Sequence, residues 1–364
     1  MKVLVGVCGI GRGHCSRQYK IINELIKKGH EVRVFTYNDG IDFFKKTNII
    51  TYRVFVPIVM FKHNRIDFVN YIKKNSNYLV HGYFLNKKTF KELIKEKFIP
   101  NVCISDYEPT TAKFAYKLNI PLINIDQQSK FIYMDSEELN GCSISEEKKR
   151  MKLFFPKFDK KLIISFYKIN NKNLPDNVKL LTPFIRDEIK SNNQKEKEKI
   201  IIVYFSKFID IPIKQELPEI FEIFNKFTDY KFIIYVSDKQ NCSSKAYDNI
   251  EIKKNDKDSF AKDFGKACCA ISTAGHTLIS EAIYCNIPTF VIPLPTFDQN
   301  YCAKFIRENK IGYSSETITF NNLKGFINNI EQYTKNINEC NNIMRGNNSI
   351  EYIIKEIEKY GGNN

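Results

Sequence analysis

The sequence predicts an α/β protein built from two parallel-sheet halves. Three observations point there. Residues 2–36 alternate an apolar strand, a glycine turn, an amphipathic helix and a second strand. A similar alternation resumes at Ile200, after a polar and charged stretch, IKSNNQKEKEK, that runs from Ile189 to Lys199. The length of 364 residues fits about two domains at roughly 150 residues each.

Residues 2–7 form a continuous apolar β run, broken by Gly9, Gly11 and Gly13. Residues 16–28 carry Tyr19, Ile21, Ile22, Leu25 and Ile26 on a helical stripe. Gly29 ends that helix as a C-cap and residues 31–36 make the next strand. Such a strand–helix–strand unit builds a parallel sheet. Strand 102–105, helix 110–118 and strand 122–125 repeat the pattern. Residues 189–199 lack apolar periodicity and read as a linker or loop. Beyond them come strand 200–205, helix 216–227, strands 231–236 and 268–272, helix 277–284, strand 289–292 and helix 299–309. The tail from Asn321 is helical and polar, and its last helix, about residues 349–360, is expected to pack back on the first half. The implied domains are 1–185 and 186–345, with a terminal helix at 346–364.

Charge and composition narrow the function. Lys and Arg total 56 against 41 acidic residues, a net charge of +15, and only nine of the 56 are Arg. A reader of base edges leans on Arg, so the Lys excess reads first as a solvated surface and second as a footprint for anionic partners. No apolar run approaches the ~20 residues of a membrane span, and MKVLVGV at the start has no secretory pattern. Ten scattered cysteines without a CxxC fit a reducing cytoplasm. RVFVPIVMFK, residues 53–62, is apolar with basic flanks. It reads as a buried strand and loop, or as a contact for an anionic membrane surface.

In open parallel sheets, ligands bind outside the carboxyl ends of the strands, so residues just after strands carry the chemistry. Gly9 to His14, GIGRGH, is neither a dinucleotide fingerprint nor a P-loop. Its glycines let backbone N–H groups approach an anion, and His14 is a candidate general base or a turn cap. In ISDYEP, Asp106 and Glu108 share that rim. Asp106 is a partner for the imidazole, or the N-cap of the helix after Pro109. The densest stretch runs from Ile271 to Ile306, ISTAGHTLISEAIYCNIPTFVIPLPTFDQNYCAKFI. Small residues at 273–277 open a helix whose free N–H groups suit a diphosphate. Glu281, one turn in, can accept both hydroxyls of a ribose, and Asp298 with Gln299 can bind sugar hydroxyls. Asp256-Lys257-Asp258 spells a DxD, read here as surface and N-cap.

With Ser272, Gly275, Ser280, Glu281, Ala282, Pro288, Asp298 and Gln299 in place, this stretch resembles the donor site of nucleotide-sugar glycosyltransferases of the GT-B fold, closest to the MurG-type branch. GIGRGH with Ser16 and Arg17, ISDYEP, and NIDQQ at 124–128 resemble the acceptor-side segments, and LTPFIRDEI from Leu181 resembles the join between domains. The resemblance implies two Rossmann-like domains whose parallel sheets face an interdomain cleft. It gives Ala274, Gly275, His276 and Thr277 to the nucleotide-sugar diphosphate, Glu281 to the ribose, and Asp298 with Gln299 to the donor sugar, and it counts Gly13 among the residues that bind the nucleotide-sugar. It makes His14 the base, with Asp106 its partner. Ile10 and Arg12 stand where MurG-type loops have glycines, and His276 resembles the phosphate-binding histidine of plant-type glucosyltransferases.

The implied reaction is inverting transfer from a nucleotide-sugar, most simply a UDP-sugar, to an acceptor hydroxyl, with no metal and no bound cofactor. The acceptor would be a lipid-linked or cell-envelope glycan, with the protein cytoplasmic and peripheral on an anionic membrane; nucleic acid is the less favoured partner. Three alternatives stay open. Gly11, Gly13, His14 and Arg17 resemble the nucleotide-sugar hydrolases of the pseudaminic-acid pathway. A transferase acting on hydroxymethylated DNA would use the positive charge, and a nonenzymatic sugar-nucleotide sensor would use the same scaffold.

Overall fold

Strands buried on both faces dominate the chain. In β1 (Lys2–Val7), Val3, Val5 and Val7 point into one apolar cluster and Leu4 into the other, as a strand period of two requires. Such a strand reads as an unbroken apolar run, because helices cover both sides of a parallel sheet. The computed structural model describes every residue except 11, 57–60, 63, 64, 67, 136, 137, 170–173, 206–214, 237–246, 255, 347, 348, 363 and 364. Gly11 and part of the 53–62 segment therefore lie outside the described residues; Val54 and Val56 of that segment are buried.

The chain divides into two compact units, Met1–Phe184 with Met344–Asn364, and Ile185–Ile343. In the first unit β1 is followed by α1 (Arg12–Lys27), β2 (Glu31–Thr36), α2 (Asp39–Phe44), β3 (Thr51–Arg53), the hairpin β4 and β5 (Phe61–Lys62, Arg65–Ile66) and α3 (Phe68–Lys95). Then come β6 (Val102–Asp106), α4 (Pro109–Leu118), β7 (Leu122–Asp126), the hairpin β8 and β9 (Glu138–Leu139, Cys142–Ser143), α5 (Ile144–Phe154), β10 (Lys160–Ile164) and β11 (Val178–Leu181). The seven-stranded sheet runs β11-β10-β7-β6-β1-β2-β3, all parallel. Strand order reverses between β1 and β6, where Val7 pairs with Asp106.

The second unit holds α6 (Asp187–Asn192), β12 (Glu198–Tyr204), α7 (Leu217–Phe224), β13 (Lys231–Val236), β14 (Ile250–Lys254), α8 (Lys257–Lys266), β15 (Ala267–Ser272), α9 (His276–Tyr284), β16 (Thr289–Val291), α10 (Phe297–Glu308), β17 (Gly312–Ser314), α11 (Phe320–Ile327) and α12 (Ile330–Glu339). Its parallel sheet runs β14-β13-β12-β15-β16-β17, reversing between β12 and β15. The final helix, α13 (Ser349–Gly361), belongs to the first unit. Ile353, Ile354 and Ile357 lie buried in the cluster that also holds Val3, Val5 and Leu25.

Two local expectations need correction. The first helix starts at Arg12 instead of residue 16, so Gly13 and His14 sit in its opening turn. The loop ahead of it is short and pinned: Cys8 N–H donates to the Asp106 carbonyl at 3.0 Å and Asp39 N–H to the Gly9 carbonyl at 3.1 Å. A Cβ at Gly9 would overlap the Tyr37 carbonyl, so this close approach requires glycine. Residues 189–199 are not all linker. α6 covers the first of them, because Ile189 buries in one cluster with Phe260, Phe264 and Ile185, the residue ahead of the helix cap; β12 already begins at Glu198.

No cysteine among the described residues is in a disulfide. No helix among them is long and apolar enough to cross a membrane.

Candidate functional site

In the first unit the site forms at the carboxyl ends of β1 and β6, the point where strand order reverses and open α/β sheets bind ligands. His14, Arg17 and Gln18 are three and four residues apart on α1, so they share one helix face. That face closes on Asp106, which is fully buried at the end of β6. Arg17 Nε donates to Asp106 Oδ2 at 3.0 Å, Arg17 Nη2 donates to the same carboxylate at 2.6 Å, and Gln18 Nε2 donates to Oδ2 at 2.9 Å. His14 Nδ1 lies 2.8 Å from Asp106 Oδ1. Burial alone would raise the Asp106 pKa; Arg17 and His14 outweigh it and hold the carboxyl below the usual aspartate range. The other ring nitrogen of His14, Nε2, stands 3.5 Å from Gln128 Nε2, whose amide carbonyl is buried with no partner among the described residues.

The remaining acids on this rim are occupied elsewhere. Glu108 is the N-cap of α4, accepting from the N–H groups of Thr110 and Thr111, both at 2.7 Å. This settles the alternative for Asp106: it is not the cap. The chain turns between them at Tyr107, a non-glycine residue at φ 54°, a conformation that costs of order 1–3 kcal/mol and clusters at functional sites. Burial pushes the Glu108 carboxyl up, against the hydrogen bonds it accepts from Thr111 and Thr110. Asp126 accepts from Ser129 N–H at 2.6 Å and Ser129 Oγ at 2.9 Å, and burial raises its pKa too, opposed by Lys161. In the sequence Arg17 stands out only as part of a motif, and Gln18 not at all. Their helical spacing from His14 is the signal that finds both.

In the second unit β15 ends at Ser272, again beside the reversal of strand order. Ala274 is fully buried, and Gly275, which has no side chain to cap with, is the N-cap of α9, its N–H donating to the Thr273 carbonyl at 2.7 Å. A Cβ at Gly275 would meet open space. Thr277 follows half-buried. His276 is buried, its Nδ1 3.5 Å from Ser280 Oγ, and that hydroxyl donates to the His276 carbonyl at 2.7 Å. Glu281 does not stand open. Arg186 grips it with two parallel bonds, Nε to Oε1 at 2.7 Å and Nη2 to Oε2 at 2.8 Å. On α10, Thr296 is the N-cap, Asp298 is half-buried, and Gln299 is buried with Oε1 accepting from Leu294 N–H at 2.9 Å. Gln299 thus also shapes the turn ahead of its own helix.

Asp256 of the DxD caps α8, accepting from the N–H groups of Asp258 and Ser259. Among the described residues no group of three His, Cys, Asp or Glu side chains is placed to hold a metal.

Residues 1–331 match the profile of glycosyl transferase family 1. An uncharacterized glycosyltransferase of Methanosarcina acetivorans is 29% identical over 181 residues, 48% of this chain and 46% of that protein. One from Methanosarcina mazei is 30% identical over 182 residues, with 48% and 46% covered. The chain thus spans about half the length of these curated relatives in the match. Among solved structures, the calicheamicin glycosyltransferase CalG4 superposes at TM-score 0.66 and 11% identity, over 99% of this chain and 98% of that one. Acinetobacter baumannii MurG superposes at 0.58 and 14%, over 98% and 99%. The glycosyltransferase VinC, solved in complex with DTDP, superposes at 0.64 and 12%, over 100% of both chains. At such identities the likeness is one of fold, an α/β architecture with two parallel sheets of the GT-B type. With the family profile covering most of its length, the chain belongs to glycosyl transferase family 1.

Proposed function

We propose that this protein transfers a sugar from a nucleoside-diphosphate sugar to an acceptor hydroxyl, with inversion and without a metal. The observation that carries the reading is the His14–Asp106 contact of 2.8 Å at the reversal point of the first sheet. With Nδ1–H directed at Asp106, His14 Nε2 holds a lone pair for the acceptor proton. As Nε2 takes that proton, the acceptor oxygen bonds to the anomeric carbon and the anomeric C–O bond to the diphosphate breaks. The nucleoside diphosphate leaves with the bonding electron pair. In the second unit the start of α9, with Thr277 in its first turn, supplies N–H groups and the positive end of a helix dipole for that leaving group. Glu281 takes the ribose, and Asp298 takes the sugar. A nucleoside diphosphate as leaving group is supported by the DTDP bound to VinC, and uridine diphosphate is the favoured one here, because a ribose offers Glu281 two adjacent hydroxyls.

The acceptor is proposed to be lipid-linked. Support comes from α3, where Val80, Tyr83 and Phe84 are exposed and continue along the same helix face into Lys87, Lys88 and Lys91. An apolar patch bordered by lysines suits an anionic bilayer surface.

Purified protein is screened with UDP-, GDP-, dTDP- and CMP-sugars, with and without EDTA, for stabilisation and nucleotide release. Stabilisation by one nucleotide family that EDTA leaves unchanged supports the metal-free donor site; no stabilisation by any of them sinks it. Release of free sugar without an acceptor would favour the hydrolase, a second reading supported by Arg17 reaching the His14–Asp106 pair.

A further inference from the structure

We infer that Arg186 is a positioning residue for nucleotide recognition. Through Glu281 it sets the preference for ribonucleotides over 2′-deoxyribonucleotides. The inference rests on the donor-site reading above and extends it to a residue on a different element.

The geometry is a fork against a fork. Two guanidinium nitrogens meet the two carboxylate oxygens of Glu281 at 2.7 and 2.8 Å, which fixes both the plane and the rotamer of the carboxylate. An ionised carboxylate offers about four lone-pair sites. Arg186 takes one on each oxygen; on the donor-site reading the lone pair left on each oxygen is what two adjacent ribose hydroxyls would meet. The Glu281 side chain is 3% exposed and that of Arg186 27%. The fork therefore reaches a carboxylate that solvent barely touches.

Arg186 is itself held in place. Its guanidinium lies 5.6 Å from the centre of the Phe260 ring, and Phe260 packs against Tyr204, Tyr235 and Phe264. Its backbone caps α6, between the buried Ile185 and Ile189. Burial lowers the Arg186 pKa, but Glu281 overcomes that and raises it above the ordinary value, so the fork stays charged. A buried ion pair is a weak source of stability beside an apolar pair of the same volume. Orientation of Glu281 is what the pair supplies.

The test is calorimetric binding of the four ribonucleoside diphosphates and their 2′-deoxy counterparts. Proteins compared are the wild type, Arg186→Met, Arg186→Lys, Glu281→Ala and the Arg186→Met/Glu281→Ala double variant. The wild type should bind its preferred ribonucleotide about tenfold or more tighter than the deoxy form, as for a hydrogen bond to a charged group. Arg186→Met should bring that ratio close to one by weakening the ribonucleotide alone. Arg186→Lys, which keeps the charge and loses the fork, should restore part of it. In the Glu281→Ala background, Arg186→Met should change the ratio no further.

An unchanged ratio in folded Arg186→Met overturns the inference while the donor site stands. If Arg186→Met does not fold, a full wild-type ratio in Arg186→Lys overturns it equally. Equal binding of both forms by the wild type also overturns it. Binding of no nucleotide overturns the donor-site reading and this inference with it.

Discussion

The guanidinium of Arg17 lies 2.9 Å from Nδ1 of His14, the same nitrogen that stands 2.8 Å from Asp106 Oδ1. One ring nitrogen thus faces a donor and an acceptor together. If the proton sits on Nδ1 it points to Asp106, and Nε2 is a base. If it sits on Nε2, Nδ1 accepts from Arg17 and no base is presented.

The position of that proton is measurable. Nitrogen-15 shifts of His14 should show the Nδ1–H form increasing in Arg17→Met, where Asp106 still faces Nδ1 and the guanidinium no longer does. His14→Ala should lower kcat by about 10²–10⁴-fold and leave nucleotide affinity unchanged. A variant with full turnover would remove His14 from the chemistry.

Acid should act on Asp106 in a defined direction. Its folded pKa is depressed, so its contribution to stability is complete above the ordinary value of about 3.9. That contribution is lost as pH falls through the folded pKa. Asp106→Asn leaves Arg17 buried without its counter-charge and should cost about 3–5 kcal/mol at neutral pH. In urea melts at decreasing pH, the gap between wild type and variant should close below about pH 4. A gap that holds constant to about pH 2 would contradict the pairing.

Glu108 should behave as a structural acid. Glu108→Ala removes the acceptor for two helix N–H groups and should cost about 1–2 kcal/mol. Nucleotide binding and the pH dependence of turnover should stay as in the wild type. A selective loss of kcat with unchanged unfolding midpoint would move Glu108 into the catalytic set.

Vesicle sedimentation checks the exposed face of α3. Tyr83→Ser/Phe84→Ser should weaken binding to vesicles containing phosphatidylglycerol. Lys87→Glu/Lys88→Glu/Lys91→Glu should weaken it further, by about 1 kcal/mol for each lysine lost. Turnover of a water-soluble acceptor should be unaffected in both. Equal binding to neutral and anionic vesicles would rule out the electrostatic contact.

How much of this was legible in the sequence depended on distance along the chain. His14 and Asp106 stand out because each follows an apolar strand in a parallel sheet. Gln18 becomes visible only once the helix is known to start at Arg12, and glycines hid that start. Gly13 costs about 1 kcal/mol in a helix, yet it lies within the first turn of α1. The long helix α3 evades a periodicity search because Val80, Tyr83 and Phe84 are apolar on its exposed face. The Arg186–Glu281 fork joins residues 95 positions apart, and no local pattern reports it. Residues 189–199 look unstructured because Ile189 is the one apolar residue of the run, and Phe260 and Phe264, which it buries against, lie far downstream.

The placement of α13 has a consequence for how the protein is made. Residues 344–364 complete the first unit, and the whole of the second unit lies between them and Phe184. During synthesis every residue of Ile185–Ile343 is added before Ile353, Ile354 and Ile357, which close the other core. Domains fold as units in the order their sequence becomes available. The inserted unit therefore has its whole sequence in place while the unit that holds β1 still lacks α13.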